Sequence, residues 1–182
     1  MGVLNEAMEK LLKFFISLKG DDWVQWIAQK NDWQDDCDKF DDCYFIVKNM
    51  PKYPHHVKCQ CRLEKINKPI PNVTANAACD IRKFTDYIFS EKYKDGKKEL
   101  FESWGYTQQD SAYLQKMYIS QALQKYCDGD YIYKGTNGFS ARIEIVVDIE
   151  TKSGKTVYLK TGWILLPKGE IKLSTPFSGF KD

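Results

Sequence analysis

Histidine is almost missing from this chain. His55 and His56 are the only two in 182 residues, and neither lies in the second half. That half also lacks a G-x-S-x-G element, a glycine-rich phosphate loop and paired carboxylates at a metal-binding spacing. These absences exclude the commonest hydrolase and nucleotide-binding classes. No apolar run is long enough to cross a bilayer, and M-G-V-L-N-E-A-M-E-K lacks the basic-then-apolar layout of a signal peptide. Met-Gly followed by Asn5 and Glu6 is weak ground for myristoylation. The expectation is a cytoplasmic protein with no membrane partner.

What is present is a globular composition, 43% hydrophobic and 14% aromatic, which argues against extensive disorder. The net charge of +2 does not by itself point to nucleic acid. It hides an uneven distribution. Between Asp21 and Cys43 eight aspartates stand against Lys30 and Lys39, whereas from Tyr44 to Ala78 six Lys or Arg stand against Glu64. Such blocks are often no more than solvated faces.

The strongest pattern runs from Ser140 to Phe177. S-A-R-I-E-I-V-V-D-I-E-T, K-T-V-Y-L-K-T-G-W-I-L-L and E-I-K-L-S-T-P-F alternate in polarity and are separated by K-S-G and P-K-G. That predicts an antiparallel meander. Closing the first loop pairs Ile149 with Val157, Val147 with Leu159, Ile145 with Thr161 and Ile143 with Trp163. Closing the second pairs Leu165 with Ile171, Trp163 with Leu173 and Thr161 with Thr175. The odd-numbered face is apolar; the other carries Arg142, Glu144, Asp148, Glu150, Lys160, Lys172 and Ser174. A slip of one residue would invert both faces.

Upstream, Leu4, Met8, Leu11, Leu12 and Phe15 have helical spacing and predict a helix over 3–18, with Gly20 as its cap. Trp23, Trp26 and Ile27 predict a second, short helix capped by Asp21 or Asp22. Residues 67–78 hold two prolines and no sustained period, which predicts a linker. A helix then opens at Asp80 with Ile81, Phe84 and Ile88 on one side. Lys97–Trp104 is a short helix stopped by Gly105, and Thr107 or Asp110 caps a longer one reaching about Tyr126. Tyr131–Lys134 is a first strand. The expected architecture is α+β. A helical Cys/His-containing module spans 1–66, and residues 79–182 form three helices packed on a four-stranded antiparallel meander.

Four of the six cysteines and both histidines fall between Cys37 and Cys61. Thiolates and imidazoles at that density suit tetrahedral zinc, with Cys37, Cys43, His56 and Cys59 or Cys61 as the set. Unligated thiols in a reducing compartment and a disulfide are the alternatives. The run P-H-H-V-K-C-Q-C-R resembles the Pro-x-His-Pro-Asn-Cys-x-Cys-Arg ending of phage head-morphogenesis (minor capsid) proteins. Pro54, His56, Cys59, Cys61 and Arg62 match; Val57 and Lys58 replace Pro-Asn, and the upstream cysteine spacing is wider. The resemblance covers about thirty residues and implies a virion-associated carrier, with capsid components as partners.

A second resemblance covers roughly 80–180. G-K-K-E-L-F-E-S-W-G-Y, T-G-W-I-L-L and K-L-S-T-P-F are similar to C-terminal domains of bacterial and phage polymorphic toxins. Lys97, Phe101, Gly105, Trp163, Leu173 and Thr175 match, while Pro176 follows the threonine directly. Such domains resemble the barnase–EndoU–colicin–RelE group of metal-independent ribonucleases, so the resemblance implies an RNA substrate, an immunity protein and no catalytic cofactor. Lys97, Lys160 and Thr175 are then the catalytic candidates, with Arg142, Lys98, Lys172 and Ser174 as substrate contacts. The residues alone favour a solvated sheet face with ordinary cross-strand ion pairs, and a non-enzymatic phage-derived structural or interaction protein is the alternative function.

Overall fold

The computed structural model describes residues 13–14, 16–29, 35–57, 59–72, 76–93 and 95–181. Most of the helix expected over 3–18 lies outside them. The strands and α-helices that lie wholly among the described residues are β1 (Trp23–Ile27), β2 (Tyr44–Ile46), β3 (Arg62–Ile66), β4 (Ala77–Ala78), α1 (Lys97–Ser103), α2 (Ser111–Cys127), β5 (Ile132–Thr136), β6 (Ala141–Glu150), β7 (Thr156–Leu165) and β8 (Ile171–Phe180). The class is α+β, with one sheet ordered β2-β1-β3 and another ordered β4-β8-β7-β6-β5.

The meander forms with the expected β6–β7 register. Ile143 opposes Trp163, Ile145 opposes Thr161, Val147 opposes Leu159 and Ile149 opposes Val157. Its odd face is closed against α2, which buries Leu114, Tyr118, Ala122, Leu123 and Tyr126. Inside that face Thr161 is fully buried. Its hydroxyl donates to Ile145 O at 2.6 Å and accepts from Trp163 Nε1 at 2.8 Å. Two polar side chains thereby satisfy each other in an otherwise apolar layer.

β5 pairs only with the start of β6. Beyond it α2 serves the edge. Gln121 donates to Asp148 O at 2.6 Å and accepts from Asp148 N at 2.7 Å, and Lys125 Nζ donates to Val146 O at 2.8 Å. Side chains thus occupy the positions that another strand would fill. The helix begins where the sequence indicates: Thr107 N donates to Asp110 Oδ2 at 2.7 Å, half of a capping box.

Three expectations need correction. The segment 23–27 is a strand, not a helix. Its two tryptophans point to opposite faces: Trp23 meets Tyr126 and Tyr131, and Trp26 meets Phe40, Phe45 and Tyr53. A central strand buried on both sides has no alternation to read, and the i,i+3 tryptophan spacing imitates a helix. The N-terminal part is therefore built on a three-stranded antiparallel sheet. The second correction falls in 67–78, where Ala77–Ala78 adds a fifth strand, parallel to β8. The third is one of type alone: the helix expected from Asp80 forms over 82–88, but its Phe84–Ile88 part is π-helical.

One continuous core joins the two sheets. Tyr126 Oη donates to Tyr44 O at 2.7 Å, Ile46 N donates to Tyr131 Oη at 3.0 Å, and Lys168 N donates to Asp42 O at 2.7 Å. Among the described residues no helix is long and apolar enough to cross a membrane.

Candidate functional site

Two places bring chemistry-bearing side chains together. The first is the cysteine loop. Asp35 caps the 3-10 turn Asp36–Phe40 by accepting from Cys37 N at 2.7 Å, which points Cys37 inward. Cys59 N donates to His56 O at 3.1 Å, closing a turn that brings His56 and Cys59 together. The ligand atoms of Cys37, His56 and Cys59 lie within 4.8 Å of one another, and the Cys37 and Cys59 sulfurs are 3.7 Å apart. Cys61, itself buried, adjoins both thiols. Burial pushes the Cys37 thiol far up, and Cys61 and Cys59 add to it. At Cys59 burial acts in the same direction, but hydrogen bonds from the backbone at His55 and Cys61 outweigh it and hold the thiol below its ordinary value.

His56 Nε2 is buried and makes no hydrogen bond, with Asp35 Oδ2 as a charged neighbour at 3.1 Å. An orphaned imidazole nitrogen beside clustered sulfurs fits a soft divalent ion. Cys43 does not belong to this group. Its sulfur lies 3.9 Å from Lys39 O and 4.0 Å from Leu165 O, in the seam between the sheets, and burial pushes its thiol up to about 12. The expectation that Cys43 is a ligand is thereby corrected: it lies three residues beyond the turn and faces the core.

The second place lies beside β8. The β7–β8 register slips by one residue between Trp163–Leu173 and Gly162–Thr175, and by two more before Lys160–Gly179. The expected Thr161–Thr175 pair therefore does not form. The bulge turns Thr175 out of the apolar face and sets it over Gly162, where a Cβ would lie 3.3 Å from Thr175 Cβ. Thr175 and Ser174 then line a cleft of about 500 Å³ with Asp80, Arg82, Lys83, Asp86, Tyr87 and Tyr93. Lys83 Nζ donates to Ser174 O at 2.7 Å and bridges the cleft's two walls. Arg82 grips Asp80 through both carboxylate oxygens and holds its pKa at about 2.

Lys97 stands behind this wall. Its ammonium pairs with Asp95 and lies 4.9 Å from the centroid of the Tyr87 ring. Asp95 first, then Tyr87, raise its pKa, which keeps the ammonium protonated. Lys98 faces a neighbouring hollow that shares Tyr93, paired with Glu91 and Glu102.

The remaining candidates share the sheet's polar face. Arg142, Ile164 and Lys172 form one row across three strands; Glu144, Gly162 and Thr175 form the next. Lys160 opposes Val146 and Gly179 further on. Arg142 donates to Lys134 O at 3.1 Å, and Lys134 reaches Glu144 at 3.7 Å. Sequence reasoning missed Arg82, Lys83, Asp86, Tyr87 and Tyr93, because a helical period assigns that stretch to packing. The alternation of aromatic and cationic residues from Arg82 to Lys97 is the signal that could have found them.

Residues 69–178, more than half of the chain, match the DUF6883 family, a domain of unknown function. The chain belongs to that family. No curated protein and no solved structure matches it. The DUF6883 match takes in the meander, its helices and every residue of the cleft, whereas the Cys37–Cys61 cluster lies before it. The Cys37–His56–Cys59 cluster is therefore a feature of this chain's N-terminal part and not of the matched DUF6883 region.

Proposed function

We propose that the DUF6883 domain of this chain is a metal-independent ribonuclease toxin domain acting at the β8 cleft. The observation that carries the reading is the bulge at Ser174–Thr175. It brings a threonine hydroxyl to the same cleft as Lys83 and Tyr87, with the Lys97 ammonium packed against Tyr87. RNA supplies its own nucleophile, the 2′-OH, so cleavage needs positioning and charge stabilisation more than a histidine relay. In this reading the Thr175 hydroxyl orients the 2′-OH as it attacks the adjacent phosphorus. The O2′–P bond forms and the P–O5′ bond breaks; the 2′ proton passes to water and the departing 5′-oxygen takes a proton from water, leaving a 2′,3′-cyclic phosphate. Lys97, from behind Tyr87, contributes its positive field to the charge that develops on the phosphate oxygens. Lys160, Arg142, Lys172 and Ser174 hold the flanking strand along the sheet face, and Lys98 extends the cationic rim.

Zinc held by Cys37, His56, Cys59 and Cys61 would supply a structural tie in the N-terminal part and no chemistry to the cleavage. A toxin of this kind requires an immunity protein, and the loop's resemblance to phage head proteins suggests a phage-derived carrier with capsid partners. Growth arrest on expression in a bacterial host, with loss of intact RNA, tests the reading.

The internal pairing of the surface charges favours a second reading. Lys97 with Asp95, Lys98 with Glu91 and Lys125 with Asp148 are what a non-enzymatic interaction protein would also show. Expression without toxicity and without RNA loss would favour that one.

A further inference from the structure

The cleft holds two tyrosines that the proposed cleavage chemistry does not use. Tyr87 is half-buried and Tyr93 is 43% exposed. Their ring centroids are 5.4 Å apart with planes at 62°, so they form an angled wall instead of a closed stack. A cation lies against each ring: Lys97 at 4.9 Å from the Tyr87 centroid and Lys92 at 5.9 Å from that of Tyr93. Arg82 and Lys83 line the same cleft. Of the acids nearby, Asp80 is taken up by Arg82 and Asp95 by Lys97, while Asp86 lies within the field of Arg82.

We propose that this corner is a nucleobase subsite for single-stranded RNA, with one base stacked on Tyr93 against the Tyr87 wall and its phosphate on Arg82 and Lys83. The inference rests on the RNA reading of the cleft and specifies which strand form enters it. Aromatic faces interleaved with cations bind unpaired nucleotides, because every base has a π-face and every linkage a negative charge. A cleft of about 500 Å³ suits one small-molecule-sized unit such as a nucleotide. A duplex keeps its bases stacked on each other and cannot offer one to the wall.

Binding is read separately from cleavage by using a fluorescent 2′-O-methyl RNA hexamer, which has no 2′-OH to attack. Anisotropy titrations with the full chain are expected to show binding by the parent. Tyr93→Ala should weaken it about tenfold and Tyr93→Phe should change it less than about twofold. Tyr93 is exposed, so the variants should keep the parental circular dichroism. Equal affinity of Tyr93→Ala and the parent overturns the subsite but leaves RNA binding standing. No binding by the parent overturns both. Binding that is lost in Tyr93→Ala, with unmodified RNA left uncut by the parent, upholds the subsite and removes the nuclease reading.

Discussion

Gly162 and Thr175 face each other across β7 and β8, one residue out of the register set by Trp163 and Leu173. The missing side chain at 162 leaves room for the Thr175 side chain, with Oγ1 at 3.5 Å from where a Cβ would stand. A valine at 162 would fill that room and displace the hydroxyl. Gly162→Val is expected to fold, because β7 favours a β-branched residue. RNA cleavage is expected to fall by roughly a hundredfold, the scale of a misplaced positioning group. Parental cleavage by a folded Gly162→Val protein would remove Thr175 from the site.

The cysteine loop gives a contrast between two buried thiols. Cys37→Ser should abolish stoichiometric zinc, measured by elemental analysis of protein purified without chelator under reducing conditions. Cys43→Ala should keep the zinc, because its sulfur lies toward Leu165 O and not toward the cluster. Zinc-free parent protein would remove the metal centre.

Thr161→Val tests the buried polar pair. The substitution keeps the shape but leaves Trp163 Nε1 without its 2.8 Å partner. The expected cost is about 1–3 kcal/mol, read from denaturant unfolding. An unchanged midpoint would mean that the indole finds another acceptor.

Acid sensitivity has a named contributor in Asp110. The Thr107 backbone N–H, aided by Lys152 and the Thr107 hydroxyl, lowers its pKa below the ordinary 3.8. A depressed folded pKa stabilises the protein above the unfolded value, and that contribution is lost as pH falls through the folded one. Asp110→Asn should therefore melt lower than the parent near neutrality, and the gap should narrow below about pH 4. A gap independent of pH would assign the cap's effect to hydrogen bonding alone.

The β6–β7 pairing and its buried face were legible because a period of two, bounded by short loops, admits a single register. The Thr107–Asp110 start was legible because capping is local. What could not be read depends on contacts between distant segments. Trp23–Ile27 is a strand because β2 and β3 flank it. Thr175 reaches the polar face because an extra residue is absorbed in β8, and alternation alone counts straight through a bulge. At the cysteine loop the clustering of Cys and His was legible, but the exclusion of Cys43 required knowing that it faces β7. The cleft's tyrosines were hidden because aromatic residues at helical spacing usually mean core.

The most direct test is the cleavage of a short single-stranded RNA by the purified chain in buffer free of divalent ions. The parent should cut it and leave a 2′,3′-cyclic phosphate, while a DNA strand of the same sequence stays intact. Lys97→Ala and Thr175→Ala, with parental circular dichroism and melting, should each be slower by about a hundredfold. RNA left whole by the parent, or cut at the parental rate by both variants, would contradict the assignment of ribonuclease activity to this cleft.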